Sequence, residues 1–335
     1  VDEALLFWEK EGRHQLASEP PAVLVAGRAF DAKWFATLPG SFQFFLLDEV
    51  VRYSLERLQP FPQIIRYLAD EGMQTVSTDE RIPFRRLLAA SYLLQGRFGE
   101  IQQLLTEFSE SFQGSGFAGT VAFLGGDTEQ ALQLFEADLT HLQQFSGEGP
   151  CFFFGLTGLF CVFALLARDG AGDRDRVRAA LDIVLKRCHG CSEEIPYRFI
   201  EAVLWATDDA MPDMLALTQD LVKDKRSLSS LVALLCLYWM GIEVPPDFQD
   251  ILRALHRQAK VGGYRWVAME SAELLATLDG EQWEAKQSAE ELSQVLQCRF
   301  LTHIIAPETT WKKSLQELID ISVRLREPQQ MTRLC

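Results

Sequence analysis

Residues 125–135 read GGDTEQALQLF and predict the turn and second helix of a helical hairpin. Gly126 stands where a left-handed residue would end the first helix. Asp127, with Gln130 three positions later, is typical of a helix N-cap and its capping-box partner. The small side chain of Ala131 would let the two helix backbones approach each other. This stretch therefore predicts two short antiparallel helices joined by a tight turn.

The same pattern of small, bulky and glycine positions occurs twice within residues 92–139. Each copy consists of five residues: a small or aromatic residue, a glycine 4 positions later, and then three residues at further steps of 5, 4 and 3 positions. The first copy is Tyr92, Gly96, Ile101, Leu105 and Phe108, and the second, 30 residues later, is Ala122, Gly126, Ala131, Phe135 and Asp138. An internal repeat of this length is typical of architectures in which helical hairpins stack on one another.

The second copy resembles the turn and second helix of a tetratricopeptide repeat, with a period of 30 residues where that family has about 34. Later segments also have the helical period, and short connections containing Gly or Pro separate them. These predicted helices span residues 197–206, 212–222, 228–240, 248–259, 264–278, 283–296 and 311–325. Together, the pattern and the resemblance predict an all-α fold: an α-solenoid of tetratricopeptide-like hairpins wound into a right-handed superhelix.

Three parts are expected along the chain. Residues 1–80 would form an N-terminal helical cap, residues 81–325 the tetratricopeptide-like repeats, and residues 326–335 the start of a linker to a downstream domain. The polar stretch 74–81 is the best candidate for the first boundary.

The run at residues 151–167 contains no charged side chain and has two interpretations. A membrane-spanning helix needs about 17 to 25 apolar residues, so this run lies at the short limit. The alternative is a buried inner helix of the solenoid, in which Gly155 and Gly158 let a neighbouring helix pack closely. We favour the buried helix because amphipathic segments flank the run on both sides.

Composition restricts the possible partners and the compartment. The 335 residues include 47 acidic and 32 basic side chains, for a formal charge of −15. This charge would repel phosphate backbones and favours a protein partner, or the rest of the chain's own polypeptide, over direct contact with nucleic acid. The 7 cysteines are odd in number and scattered, which favours reduced thiols. Because the chain begins with Val1 and has no signal-peptide pattern, we expect part of a longer cytoplasmic protein.

One glycine-rich segment, Gly114–Gly119, fits the letters of the dinucleotide-binding fingerprint. That motif requires a preceding strand, so that the pyrophosphate meets the amides of the helix that follows. Residues 98–112 instead have the pattern of an amphipathic helix. An inter-repeat turn is therefore the favoured interpretation.

Other patterns of reactive side chains are also incomplete. Cys188, His189 and Cys191 offer three soft metal ligands, but a structural zinc site takes four and the sequence has no second knuckle. Asp48-Glu49 resembles the acidic signature of nucleotide hydrolases without a phosphate-binding loop, and we interpret it as a solvated acidic edge. The histidines are widely separated, at His14, His141, His189, His256 and His303. The sequence therefore predicts no catalytic, cofactor-binding or metal-binding residues.

The C-terminal end carries a spaced set of residues, namely Pro307, Trp311, Leu315, Leu318, Arg333 and Leu334. This set resembles the junction in bacterial Swi/Snf-type helicase-like ATPases, where a helical region ends and the stretch leading to the motor begins. The resemblance implies that the chain is the accessory helical region of a DNA-dependent ATPase. ATP binding and DNA binding would then belong to the motor.

We therefore expect a non-catalytic protein-interaction or regulatory scaffold. Two alternatives stay open. One is the ligand- or protein-sensing repeat domain of a bacterial transcription regulator. The other is an all-α enzyme with a pocket between helices, which would need a cluster of buried ionisable side chains.

Overall fold

A computed structural model describes most of the central part of the chain. The described residues are 32–38, 40–71, 81–146, 150–187, 194–205, 218–221, 223, 226–239, 246–278 and 283–304. Regular secondary structure in these ranges is entirely helical, which confirms the all-α prediction. Expectations for residues 1–31, for the boundary at 74–80, for Cys188-His189-Gly190-Cys191 and for the segment 305–335 lie outside the described residues.

The structure describes sixteen α-helices in these ranges. In the first half they are α1 Ala32–Phe35, α2 Gly40–Arg57, α3 Pro62–Arg66 with a π-helical turn at Tyr67–Glu71, α4 Arg81–Gln95, α5 Phe98–Glu107, α6 Ser109–Phe112, α7 Phe117–Leu124 and α8 Thr128–Ser146. In the second half they are α9 Gly155–Arg168, α10 Asp173–Arg187, α11 Glu194–Trp205, α12 Ser227–Trp239, α13 Pro246–Gly262, α14 Arg265–Leu278, α15 Trp283–Leu296 and α16 Leu301–Ile304.

The two repeat copies form the predicted hairpins, α4 with α5 and α7 with α8. Gly96 has φ +69° and Gly126 has φ +91°, the left-handed conformation that glycine adopts without steric cost. In the first turn, Arg97 N donates to Tyr92 O at 2.9 Å and Gly96 N to Leu93 O at 3.0 Å. The second turn repeats this pair of hydrogen bonds 30 positions later, at 3.1 and 2.9 Å. Both turns are Schellman motifs, so the repeat is real at the level of backbone geometry.

A third hairpin ends its first helix in the same way. Between α13 and α14, Tyr264 N donates to Ala259 O at 2.9 Å and Gly263, at φ +76°, donates to Lys260 O at 3.3 Å. The N-cap predicted for the second repeat is also present, because Asp127 Oδ1 accepts a hydrogen bond from Gln130 N at 3.0 Å. Local sequence signals therefore account for how these helices begin and end.

The uncharged run forms the buried inner helix α9 from Gly155 onwards, and its first four residues precede the helix. Every residue from Thr157 to Leu166 is buried. Phe160 packs edge-on against Trp266 of α14, with ring centroids 5.4 Å apart, and Phe163 packs against Trp239 of α12 at 5.3 Å. None of the described helices has the length and apolar character needed to cross a bilayer.

Helices distant in sequence also pack together. Helix α14 contacts α4, and α12 contacts α2. Ser54 Oγ and Tyr264 Oη are 2.6 Å apart although 210 positions separate them, and Arg299 N donates to Leu124 O at 2.8 Å. A Cβ atom on Gly96 would lie 2.6 Å from Leu296 Cδ2, and one on Gly126 would overlap Arg299. The residues around the end of α15 therefore cover both repeat turns.

These long-range contacts extend beyond the neighbour-to-neighbour packing of a simple solenoid. The tetratricopeptide-like superhelix and the division at residue 80 therefore stay predictions. What the described residues establish is an all-helical body in which α12 and α14 meet α2 and α4.

We expect Gly158→Ala to lower the free energy of unfolding by about 1–3 kcal/mol, because overpacking forces backbone shifts. The new Cβ would overlap the carbonyl oxygen of Phe153 and would lie 2.5 Å from Tyr197 Oη. The matched control is Gly99→Ala in α5, where no atom lies within 4 Å. That variant should keep or gain stability, by up to about 1 kcal/mol. Urea unfolding of both variants tests this, and equal midpoints would contradict the close packing at Gly158.

Candidate functional site

A cavity of about 560 Å³ lies between the first and second halves of the fold. Helices α2, α4, α9, α11 and α12 contribute to its wall, together with the turn before α7 and the segment before α9. Most of the lining is apolar, and its rings are Phe44, Phe117, Phe152, Phe153, Phe154 and Tyr197. This volume lies within the range of about 300–1,000 Å³ that small-molecule sites occupy.

Asp48 lies in the cavity wall, so the interpretation of this carboxylate as a solvated acidic edge is wrong. Its side chain is 19% exposed and pairs with Arg52 Nε at 2.8 Å. Burial raises the pKa of Asp48, and the charge of Arg52 and its hydrogen bond oppose that shift. The error has a physical cause. Charged residues spaced by one helical turn are expected on a wet face, and the same spacing can line a cavity.

Glu56 is the second carboxylate of the cavity wall, two turns farther along α2. Protein atoms surround it, yet it keeps some accessible surface, as expected of a side chain that faces an internal cavity. Burial raises the pKa of Glu56 to about 7, against hydrogen bonding from Ser229 and the charges of Arg226 and Arg57. Its Oε1 accepts a hydrogen bond from Ser229 N at 3.3 Å.

Ser229 stands beside this carboxylate in the first turn of α12 and is 1% exposed. Its hydroxyl faces Glu56 closely enough to lower the pKa of that carboxyl. Even so, Oγ makes no hydrogen bond of normal geometry to any group in the part of the chain that the structure describes. Buried hydroxyl groups nearly always have a partner. Glu56 and Ser229 together form what we call the polar point of the mostly apolar wall.

The cationic side chains of the cavity have partners within the protein. Arg52 bonds to Asp48, and Arg86 donates to the carbonyl oxygens of Ser111 at 2.9 Å and Gln113 at 2.8 Å. The guanidinium of Arg187 lies 5.5 Å from the centre of the Phe154 ring, within the range of a cation–π contact. Arg52 and Arg86 therefore use donors within the protein, whereas the ring contact of Arg187 uses none of its N–H donors.

The glycine-rich segment Gly114–Gly119 is an inter-repeat turn, as expected. Helix α6 precedes it, not a strand, and Gly114 and Ser115 also line the cavity. The amides of Gly114 and Gly116 donate to the two carboxylate oxygens of Asp138, each at 2.8 Å. A side-chain carboxylate of α8 thus occupies the place that a phosphate would take in a nucleotide-binding turn.

The described ranges contain no assembled site for metal or thiol chemistry. There, no group of three or more His, Cys, Asp or Glu side chains is placed to hold a metal ion. Cys161, Cys236 and Cys298 are buried free thiols whose pKa values burial raises. His256 Nδ1 lies 2.9 Å from Ala268 O, and burial lowers the pKa of His256.

Two carboxylates of α14 anchor the last described segment, α16. Leu301 N lies 3.0 and 3.1 Å from the two carboxylate oxygens of Glu270, and His303 Nε2 lies 2.7 Å from Glu273 Oε1. Glu270 is fully buried, and burial raises its pKa to about 8, with the Leu301 amide opposing and Glu273 adding to the shift. The chain therefore approaches residue 305 from a position fixed on the central helix α14.

The sequence contained a signal for the cavity that is ambiguous without the fold. Asp48, Arg52 and Glu56 recur at four-residue intervals beside the apolar stripe that includes Val51 and Leu55. A solvated helix face shows the same spacing. Ser229 lies 173 positions from its partner Glu56, so no local pattern links the two.

Comparison of the chain with protein-family models, with curated proteins and with solved structures finds no match.

We expect Asp138→Ala to lower the free energy of unfolding by about 1–3 kcal/mol, because two partly buried amides would lose their acceptor. Asp182→Ala on α10 is the matched control, since its pair with Lys186 is exposed. That change should shift stability by at most about 0.5 kcal/mol. Thermal unfolding of both variants measures the difference, and a neutral Asp138→Ala would contradict the role given to this carboxylate.

A pH series tests the buried carboxyls. The pKa of Glu270 is raised from 4.5 to about 8 in the folded state. Between pH 4.5 and about 8 this carboxyl is therefore protonated in the folded state and ionised in the unfolded state. The resulting contribution to stability is fully present below pH 4.5 and is lost as the pH rises to about 8.

The Glu270→Gln variant should therefore lose less stability than the wild type between pH 5 and 8. Glu56→Gln should flatten the same curve only up to about pH 7, the raised pKa of Glu56. Urea midpoints at each pH measure the slopes. A Glu270→Gln curve parallel to that of the wild type would contradict the raised pKa.

Proposed function

We propose that this chain is a non-catalytic protein-interaction and regulatory scaffold, built as a tetratricopeptide-like solenoid of helical hairpins. The observation that carries the proposal is the position of the residues around the end of α15, which cover both repeat turns. The contact between α4 and α14 holds an early and a late hairpin together. Such a body holds a binding surface in one shape and links its two halves mechanically.

The scaffold would serve as the accessory region of a bacterial Swi/Snf-type DNA-dependent ATPase in the cytoplasm. Support comes from α16, because it immediately precedes the residues that carry the resemblance. Glu270 and Glu273 fix α16 to α14. A partner that displaced α16 from α14 would therefore also displace the chain leading towards the motor. The acidic charge fits a protein partner, or the chain's own motor, and is unfavourable for direct contact with DNA or an anionic membrane.

The cavity carboxylates support a non-catalytic role. Asp48 is neutralised by Arg52. Glu56 follows it by eight residues on one helix, which corresponds to a rise of about 12 Å. In glycoside hydrolases, the two catalytic carboxyl groups lie about 5–9.5 Å apart. The rise between Asp48 and Glu56 is longer than that separation.

The second candidate function is that of a sensor domain in a bacterial transcription regulator. The cavity favours it, since a largely apolar space between two halves of a fold is suited to a ligand that changes how the halves meet. The sequence downstream distinguishes the two candidates. A Walker-type motor would support the accessory region, and a helix-turn-helix would support the sensor.

The test compares the natural full-length protein that contains these residues with a version lacking residues 1–335. We expect ATP hydrolysis that duplex DNA stimulates, with a stimulated rate that changes on deletion. The exchange Glu273→Gln, which removes the charge facing His303, should shift the rate in the same direction as the deletion. A full-length protein with no ATPase activity would overturn the Swi/Snf assignment.

A further inference from the structure

Where Glu56 and Ser229 meet in the cavity wall, hydrogen-bond acceptors outnumber donors. An ionised carboxylate can accept about four hydrogen bonds, and the only one that Glu56 accepts with normal geometry from the described residues is that of Ser229 N, at 3.3 Å. The adjacent Ser229 hydroxyl is buried and close enough to lower the pKa of that carboxyl, but it makes no hydrogen bond of normal geometry with those residues. The free capacity beside the apolar space is therefore two neighbouring acceptor groups.

A ligand complementary to this point must bring donors and positive charge. An ammonium group carries three N–H donors and no acceptor, so it would match a carboxylate and a hydroxyl oxygen together. A ligand carboxylate would instead meet Glu56 with like charge. In the wall, Arg52 and Arg86 already donate to Asp48 and to backbone carbonyls. The charges of Arg57 and Arg226 already act on Glu56.

The rest of the wall defines the body of the ligand. Six aromatic rings and several aliphatic side chains enclose about 560 Å³. Aromatic faces attract cations as well as apolar groups, so they tolerate an ammonium near the polar point and favour a ring or alkyl body beyond it. We propose that this cavity binds a small primary amine with an apolar body, its ammonium group held by Glu56 and the Ser229 hydroxyl.

This binding site does not depend on the assignment to an ATPase or to a regulator. It adds a ligand to the scaffold and places it between α2 and α12. Because α2 and α12 come from opposite halves of the chain, the bound ammonium would bridge them through Glu56 on one side and Ser229 on the other. Occupancy would then stabilise the contact between the halves by mass action.

The experiment uses the 335-residue chain and three probes of similar shape: 2-phenylethylamine, 2-phenylethanol and 3-phenylpropanoate. Titration calorimetry at pH 8, above the pKa of Glu56, measures each affinity. The amine should bind one to one, and the alcohol at least about tenfold more weakly, because it lacks the charge-assisted hydrogen bond. The acid should bind more weakly than the alcohol.

Variants locate the interaction. Glu56→Gln should remove the preference for the amine over the alcohol, and Ser229→Ala should reduce it. Glu270→Gln is the matched control, since it alters an equally enclosed glutamate outside the cavity and should keep the preference. Ala90→Leu, which fills part of the cavity, should weaken the binding of all three probes.

Several outcomes would overturn the proposal. The first is the absence of saturable binding by the amine, and the second is equal affinity for amine and alcohol in the wild-type chain. The third is an amine preference that remains in the Glu56→Gln variant, provided that this variant shows a normal cooperative unfolding transition. None of these results bears on DNA-stimulated ATP hydrolysis, so failure here is distinguishable from failure of the proposed scaffold function.

Discussion

The burial of helix α9 is the constraint on which the rest of the described structure depends. From Thr157 to Leu166 it has no face exposed to water, so other helices must cover it on every side. Phe160 packs against Trp266 of α14, and Phe163 packs against Trp239 of α12. These contacts join the second half of the chain to α9. Each large apolar side chain buried in this way contributes about 1.5–3 kcal/mol to the stability of the fold.

A cavity is unfavourable in a fold whose helices pack closely around α9. Protein interiors are close-packed, and an unfilled space costs stability because its lining atoms lose contacts. Here a space of about 560 Å³ persists beside α2 and α12, and it is lined by carboxylates as well as rings. Glu56 and Ser229 stand where apolar side chains would pack more favourably. A binding role accounts for both costs at one place.

Local signals carried the prediction of the hairpins because each depends on a few consecutive residues. A glycine that must adopt positive φ, as Gly96 and Gly126 do, and a side chain that caps a helix, as Asp127 does, can be recognised without knowledge of the fold. The Asp138 carboxylate that binds the Gly114 and Gly116 amides could not be recognised in this way, because its partners lie more than 20 positions earlier.

The sequence by itself determined the all-helical class, the two repeat turns and the inner position of α9, since helical period, helix ends and the absence of charge are properties of adjacent residues. Only the tertiary structure decided that α14 meets α4, that Asp48 faces a cavity and that Glu56 meets Ser229. The physical reason is that a charged stripe on a helix has the same spacing whether it faces water or an enclosed space. Which of the two it faces depends on other helices, and one of them, α12, places Ser229 173 positions from Glu56.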